Sequence, residues 1–278
     1  MTGFRLNRVD LADLRQPLVL AQALHGQLGK LTGAIPVEKI ALALDIDAVE
    51  QAELDGFEGL LLTDRVRSRG RILVNSRRGA PAARFNIAHE LGHFLLEHHK
   101  LDPVGGFKCS AADMRETRSG QQRSGQELEA NEFAIALLAP DHATAPFLRA
   151  EPSLAVIEAL RKHLDLSRGA AARCLVTRHQ LPLAVIWSQG GTIQSMARST
   201  AFPWIALAPG QKVSPASLTA RELASGRTGT SGISEVPSGT WTSAAIPELF
   251  EQVRTGGEGR CLTLIWSGAL EAKDDETF

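Results

Sequence analysis

Apolar residues recur at helical spacing through residues 18–31 (Leu18, Leu20, Ala23, Leu24, Leu28, Leu31) and again through 37–44, the second run opened by Pro36. Over residues 46–54 the pattern loosens. Two short apolar runs, 59–62 and 70–75, predict strands separated by a charged turn. Residues 82–99 carry a strong helical pattern, with Phe85, Ile87, Ala88, Leu91, Leu95 and Leu96 as its apolar positions. The polar, glycine-bearing stretch 101–126 reads as a lid or insertion. A further helix is expected over 126–138, closed by Ala139-Pro140. Two short helices over 152–180, with Ser167 as a cap between them, have the cadence of a helix-turn-helix. After Pro182, residues 183–187 and 192–196 flank Gln189-Gly190-Gly191 as a β-hairpin. Residues 225–244 read as loop and 260–266 as a closing strand, followed by a frayed acidic tail at Lys273, Asp274, Asp275 and Glu276. The pattern predicts an α+β chain divided into residues 1–140, 141–181 and 182–278.

Composition narrows the function classes. With 278 residues, 44% hydrophobic and 22% charged, the chain is an ordinary globular protein, which excludes wholesale disorder. Thirty basic residues face 31 acidic ones, so any role on nucleic acid has to be local. No apolar run approaches the roughly 18 residues of a membrane span, and the polar N-terminus lacks the core of a signal peptide. Three scattered cysteines (Cys109, Cys174, Cys261) fit a reducing, cytoplasmic setting, and none is spaced for a metal. Cys109 falls in the polar insertion, open to oxidation, whereas Cys174 and Cys261 read as helix and strand core. Tyrosine is absent, which removes one common proton donor from any mechanism.

The chemistry concentrates in His89-Glu90-Leu91-Gly92-His93. Two histidines four apart lie within about 40° on one helix face, so both imidazoles can reach one metal ion. Glu90, one step around, can accept a proton from a water on that ion. A third ligand is needed. His99 is excluded if the helix continues, because Leu96 stands where a bend would require glycine and His99 would face about 240° away. His98 and His99 then read as charges near a helix C-terminus. Two carboxylates on the next helix compete. Glu127 shares a face with Asn131, Ala134 and Leu138, small and apolar enough to pack on the metal helix, whereas the Glu129 side looks solvated. Glu127 is favoured, and Asn131 could hydrogen-bond the far nitrogen of a ligating histidine.

The residues Arg84-Phe85-Asn86-Ile87-Ala88-His89-Glu90-Leu91-Gly92-His93, followed by Glu127-Leu128-Glu129-Ala130-Asn131-Glu132-Phe133-Ala134 and Leu137-Leu138-Ala139-Pro140, resemble ImmA/IrrE-type metallopeptidases, as does the upstream strand Ile72-Leu73-Val74-Asn75. The resemblance covers about residues 30–140. It implies a zincin-like domain in which His89, His93 and Glu127 hold zinc, with manganese a possible occupant in vivo, and Glu90 is the general base. It further implies cleavage of an XRE-type helix-turn-helix repressor encoded nearby, derepressing stress-response or mobile-element genes. The IrrE branch adds a helix-turn-helix-like segment and a GAF-like sensor, matching the three-part layout. The chain departs from the family in its long insertion before Glu127 and in Leu-Ala-Pro for the commoner Leu-Met-Pro.

Weaker signals surround this site. Arg65, Arg67, Arg69 and Arg71 alternate, so a strand there would place them on one side, as a charged edge or an acidic-substrate cradle. Arg71, Leu73 and Asn75 are candidates for contacting a substrate laid against the sheet. Arg161, Lys162, Arg168, Arg173 and Arg178 suit a DNA-binding helix pair, but the neutral total charge favours bracing or repressor docking. The competing readings are a DNA-binding or sensing regulator and a toxin–antitoxin component, either acting on its partner by association alone.

Overall fold

The computed structural model describes residues 4–102, 105–110 and 122–268. The expected acidic tail, and half of the polar 101–126 insertion, lie outside them. The chain is α+β and divides into two compact units, Met1–Thr144 with Lys162–Ser167, and Ala145–Arg161 with Arg168–Phe278.

In the first unit, α1 (Pro17–Leu28) and α2 (Val37–Ala43) bury Leu20, Leu24, Ile40 and Ala41. A four-stranded sheet follows, made of β1 (Ile46–Ala52), β2 (Gly59–Thr63), β3 (Gly70–Asn75) and β4 (Gly106–Cys109), in the order β1-β3-β2-β4. β1 runs parallel to β3, and β2 is antiparallel to both β3 and β4. β1 lies where the sequence pattern loosened. Its edge position explains this, because an edge strand of mostly half-exposed residues carries no apolar alternation.

Two helices complete the unit: α3 (Ala80–Leu95) and α4 (Gln122–Leu138). α3 stops four residues short of the expected end, at Leu95, and the amide of Leu96 closes it on the Gly92 carbonyl. No glycine is needed for this stop. Arg67, held at φ 51° in the turn before β3, donates to the Leu96 carbonyl (3.1 Å) and the His99 carbonyl (2.5 Å), satisfying acceptors that the helix end leaves over. At the other end of the pair, His25 of α1 donates through Nε2 to the Leu137 carbonyl of α4 at 3.0 Å.

The second unit holds α7 (Arg168–Arg178), α8 (Leu218–Ala224) and a sheet of β5 (Leu183–Gln189), β6 (Thr192–Arg198), β7 (Gly229–Thr230), β9 (Leu249–Thr255) and β10 (Arg260–Ser267), with β8 (Ser234–Glu235) paired to β9. Two more helices, α5 (Asp141–Leu148) and α6 (Leu154–Leu164), lie between the α4 and α7 segments of the chain. The β5–β6 hairpin turns on Gly190 and Gly191, both at positive φ, as a tight turn of that handedness requires. The core gathers Ile186, Phe202, Trp241, Val253 and Ile265. Into it projects the Glu251 carboxylate, which accepts from the amides of Leu218 and Thr219, the Thr219 hydroxyl and Trp241 Nε1 at 2.7–3.0 Å. No helix among the described residues is long and apolar enough to cross a membrane.

Candidate metal centre

α3 supplies three of the candidate side chains from one buried stretch. Pro81 sits in its first turn, and Asn86 donates to the Glu58 carbonyl at 3.0 Å, fixing the helix against the approach to β2. His89, Glu90 and His93 that follow are wholly buried. α4 crosses close by because small residues meet. A Cβ added at Gly92 would lie 3.0 Å from Phe133 Cδ1 and 3.4 Å from the Ala130 backbone. This close approach brings Glu127 to the two imidazoles.

His89 Nε2 and His93 Nε2 stand 3.1 Å apart, and Glu127 Oε2 lies 3.1 and 3.4 Å from them respectively. Donors placed tetrahedrally about one ion at roughly 2.0–2.1 Å are about 3.3 Å apart. The observed triangle has the dimensions of one face of that tetrahedron. Two imidazoles and a carboxylate also suit zinc chemically, so residues and ion fit.

Hydrogen bonds on the far sides of both rings fix which nitrogen faces the ion. His89 Nδ1–H donates to Asn131 Oδ1 at 3.0 Å, which leaves a lone pair on Nε2. For His93 the partner is another imidazole, with its Nδ1 lying 2.9 Å from His99 Nδ1. His99 Nε2–H in turn donates to Glu129 Oε2 at 2.9 Å, so neutral His99 has only Nδ1 left as an acceptor. The proton between the two rings therefore belongs to His93, and its Nε2 is a free donor toward a metal. His98 Nε2 also reaches Glu129 Oε2, at 2.6 Å.

The electrostatics agree with this assignment. Burial pushes the His93 pKa down to about 3, against the raising effect of Glu127, and pushes His99 down to about 4, against that of Glu129. Both rings are thus neutral at ordinary pH. Burial raises the Glu127 carboxyl, but the His89 and His93 rings that face it in the metal-free site outweigh burial and hold the group below the usual carboxylate range. The same balance, with His99 and His98 as partners, lowers Glu129.

Several sequence expectations are corrected here. His99 does not continue the helix away from the site. Because α3 ends at Leu95, the chain turns back and His99 is buried against His93. Glu129 is half-exposed but paired with two imidazoles. The arginine series forms no strand face, since only Arg71 lies in a strand. Arg67 is buried, and Arg69 and Arg71 pair with Asp47 and Glu50. Arg71, Leu73 and Asn75 stand on β3, whose two edges are taken by β1 and β2. Asn75 Nδ2 donates to the carbonyls of Leu54 and Phe57, clamping the loop before β2. Cys109 is the residue that spacing missed. It closes β4, wholly buried, with its sulfur in the same donor cluster as His89, His93 and Glu127. A thiol 16 residues from His93 in a polar stretch gave no signal, because a strand's return path brings it back.

Residues 48–175 match the family model of peptidase M78, described as the IrrE N-terminal-like domain. No curated protein sequence matches the chain. Among solved structures, a Mycobacterium tuberculosis transcriptional regulator superposes with a TM-score of 0.52 at 14% identity, covering 94% of this chain and 92% of that one. At such identity the likeness is one of fold. The matched segment contains all four donors and the paired helices that carry three of them, and residues 48–175 thus match an IrrE N-terminal-like domain, in line with the ImmA/IrrE family that the two motifs resemble.

Proposed function

We propose that the chain is a metal-dependent endopeptidase that cleaves an XRE-type helix-turn-helix repressor. The observation carrying this reading is the triangle of His89, His93 and Glu127 donors, 3.1–3.4 Å on a side, with Glu90 buried on the same helix between the two histidines. His89, His93 and Glu127 would hold the ion, zinc by preference and manganese as an alternative. When bound, such an ion supplies Lewis acidity that lowers the pKa of water and polarises a peptide carbonyl. Glu90 then takes a proton from the attacking water on its carboxylate and returns it to the departing amine nitrogen. Asn131 and the His99–Glu129 pair keep the two imidazoles oriented throughout, and the buried surroundings exclude bulk water from Glu90.

In this reading the second unit contributes recognition and control. The α6–α7 pair serves as a helix-turn-helix-like docking element and the C-terminal sheet as a GAF-like sensor. Direct DNA binding fits less well, since Arg161 and Arg168 pair with Glu158 and Arg173 lies over the Trp187 ring at 4.6 Å. The fold neighbour bears the name of a transcriptional regulator, which keeps a second reading in view, with the partner controlled by association alone. Incubating the protein with the adjacently encoded repressor and zinc or manganese, with and without chelator, separates the two. Metal-dependent fragments that disappear in Glu90→Gln support cleavage. A repressor left intact in every tube supports association.

A further inference from the structure

The donor cluster contains a fourth member that a working peptidase would not be expected to carry. Cys109 Sγ, one nitrogen from each of His89 and His93, and a Glu127 oxygen all lie within 4.8 Å of one another, and all four residues are buried. Tetrahedral donors at roughly 2.0–2.3 Å from one ion are about 3.3–3.8 Å apart, so a group held within 4.8 Å can gather on a single ion by a short movement of the sulfur. The sulfur's direction is set by its strand. Phe107, two residues earlier and on the same face of β4, stacks on the His93 ring with centroids 4.2 Å apart and planes 17° apart. The Cys109 carbonyl accepts from the Glu58 amide at 2.9 Å and Cys109 pairs with Gly59, so the backbone is pinned on the side from which Glu90 approaches.

Coordination chemistry gives the arrangement a meaning. Catalytic zinc sites keep three protein ligands and one open position, whereas four protein ligands make a closed site. Two neutral imidazoles, a carboxylate and a thiolate would also balance the double charge of the ion, which favours burying it. We infer that Cys109 is a fourth protein ligand that holds this peptidase in a latent, closed form, opened when β4 carries the sulfur away from the ion. The inference rests on the metal-centre reading above and adds regulation to it. Closure forms a sulfur–metal bond as the thiol proton passes to solvent. Opening breaks that bond, and the thiol takes a proton back, with no change of oxidation state.

The test is spectroscopic. The full chain is loaded with cobalt(II), whose bond to a thiolate gives an intense near-ultraviolet charge-transfer band absent from nitrogen and oxygen ligation. The expected result is the band in the wild type and its loss in Cys109→Ser, which still binds cobalt. Zinc affinity of that variant should fall by more than the roughly 10–100-fold that loss of an outer hydrogen-bond partner costs. Its cleavage of the repressor should rise above that of the wild type. Cobalt bound to the wild type without the band, a band that persists in Cys109→Ser, or cleavage that does not rise would overturn the inference and leave the two-histidine, one-carboxylate centre standing. Failure of the wild type to bind cobalt or zinc at all would overturn both. The wild-type spectrum decides the ligation even if the variant folds poorly.

Discussion

Replacing Gly59 by alanine places a methyl group where Glu90 now keeps its carboxylate. The added Cβ would stand 2.1 Å from Glu90 Oε1 and about 3 Å from Cδ and Cγ, so the oxygen has to retreat by about 1 Å to reach ordinary contact. β2 cannot yield easily, because it is hydrogen-bonded to β3 on one side and β4 on the other. The carboxylate is the far end of a flexible side chain, so the retreat costs little stability. Overpacking of ~1–3 kcal/mol is offset in part by the ~0.5–1 kcal/mol that alanine gains over glycine inside a strand. Catalysis is less tolerant. Misplacing a reacting group by about 1 Å costs on the order of 10²-fold, or ~2.7 kcal/mol of barrier. The three atoms nearest the added methyl all belong to Glu90, so His89, His93, Glu127 and Cys109 keep their places and zinc affinity should hold. Gly59→Ala should therefore show a melting temperature near that of the wild type, unchanged zinc binding by calorimetry, and a kcat/KM for repressor cleavage lowered by about two orders of magnitude. A wild-type rate with zinc retained would refute the reasoning that Gly59 positions Glu90 for proton transfer.

Other consequences follow from the same geometry. Asn131→Ala and His99→Phe each remove the group that fixes a ligating ring, and each should weaken zinc binding by roughly 10–100-fold in a chelator competition. His93 and His99 have folded pKa values near 3 and 4, below the ordinary 6.5, so the unfolded chain takes up protons first on acidification. The stability they contribute is complete above pH 6.5 and is lost as pH falls toward 4 and 3, so the metal-free protein should melt progressively lower across that window. A flat profile would contradict their burial as neutral rings. Glu251→Ala should destabilise the second unit by more than ~3 kcal/mol in denaturant unfolding, because it strands several buried donors at about 1–3 kcal/mol each.

Much of the framework was legible because periodicity reports burial directly. The helix bearing His89 and His93, the β5–β6 hairpin and the closing strand all follow from apolar spacing and glycine placement. The helix face that carries Glu127 was readable too, since Asn131, Ala134 and Leu138 beside it are small and apolar enough for close packing, and Ala134 and Leu138 are buried. What escaped was whatever depended on the path of the chain. The end of α3 carries no glycine signal, because a distant arginine side chain takes up the last carbonyls, and so His99 was placed on the wrong side. β9 was missed because two of its buried positions are Glu251 and Gln252, polar residues satisfied by partners up to 98 positions away. Cys109 escaped for the same reason.

The contact between Gly92 and Ala130 has a further bearing on how the protein could be handled. It sets the spacing of the imidazoles and Glu127 by backbone against backbone, before any ion arrives. Assembly of the pocket is thereby separated from its occupancy. Ions could be swapped in the finished molecule, and a chain emptied of metal would keep its shape rather than have to fold again.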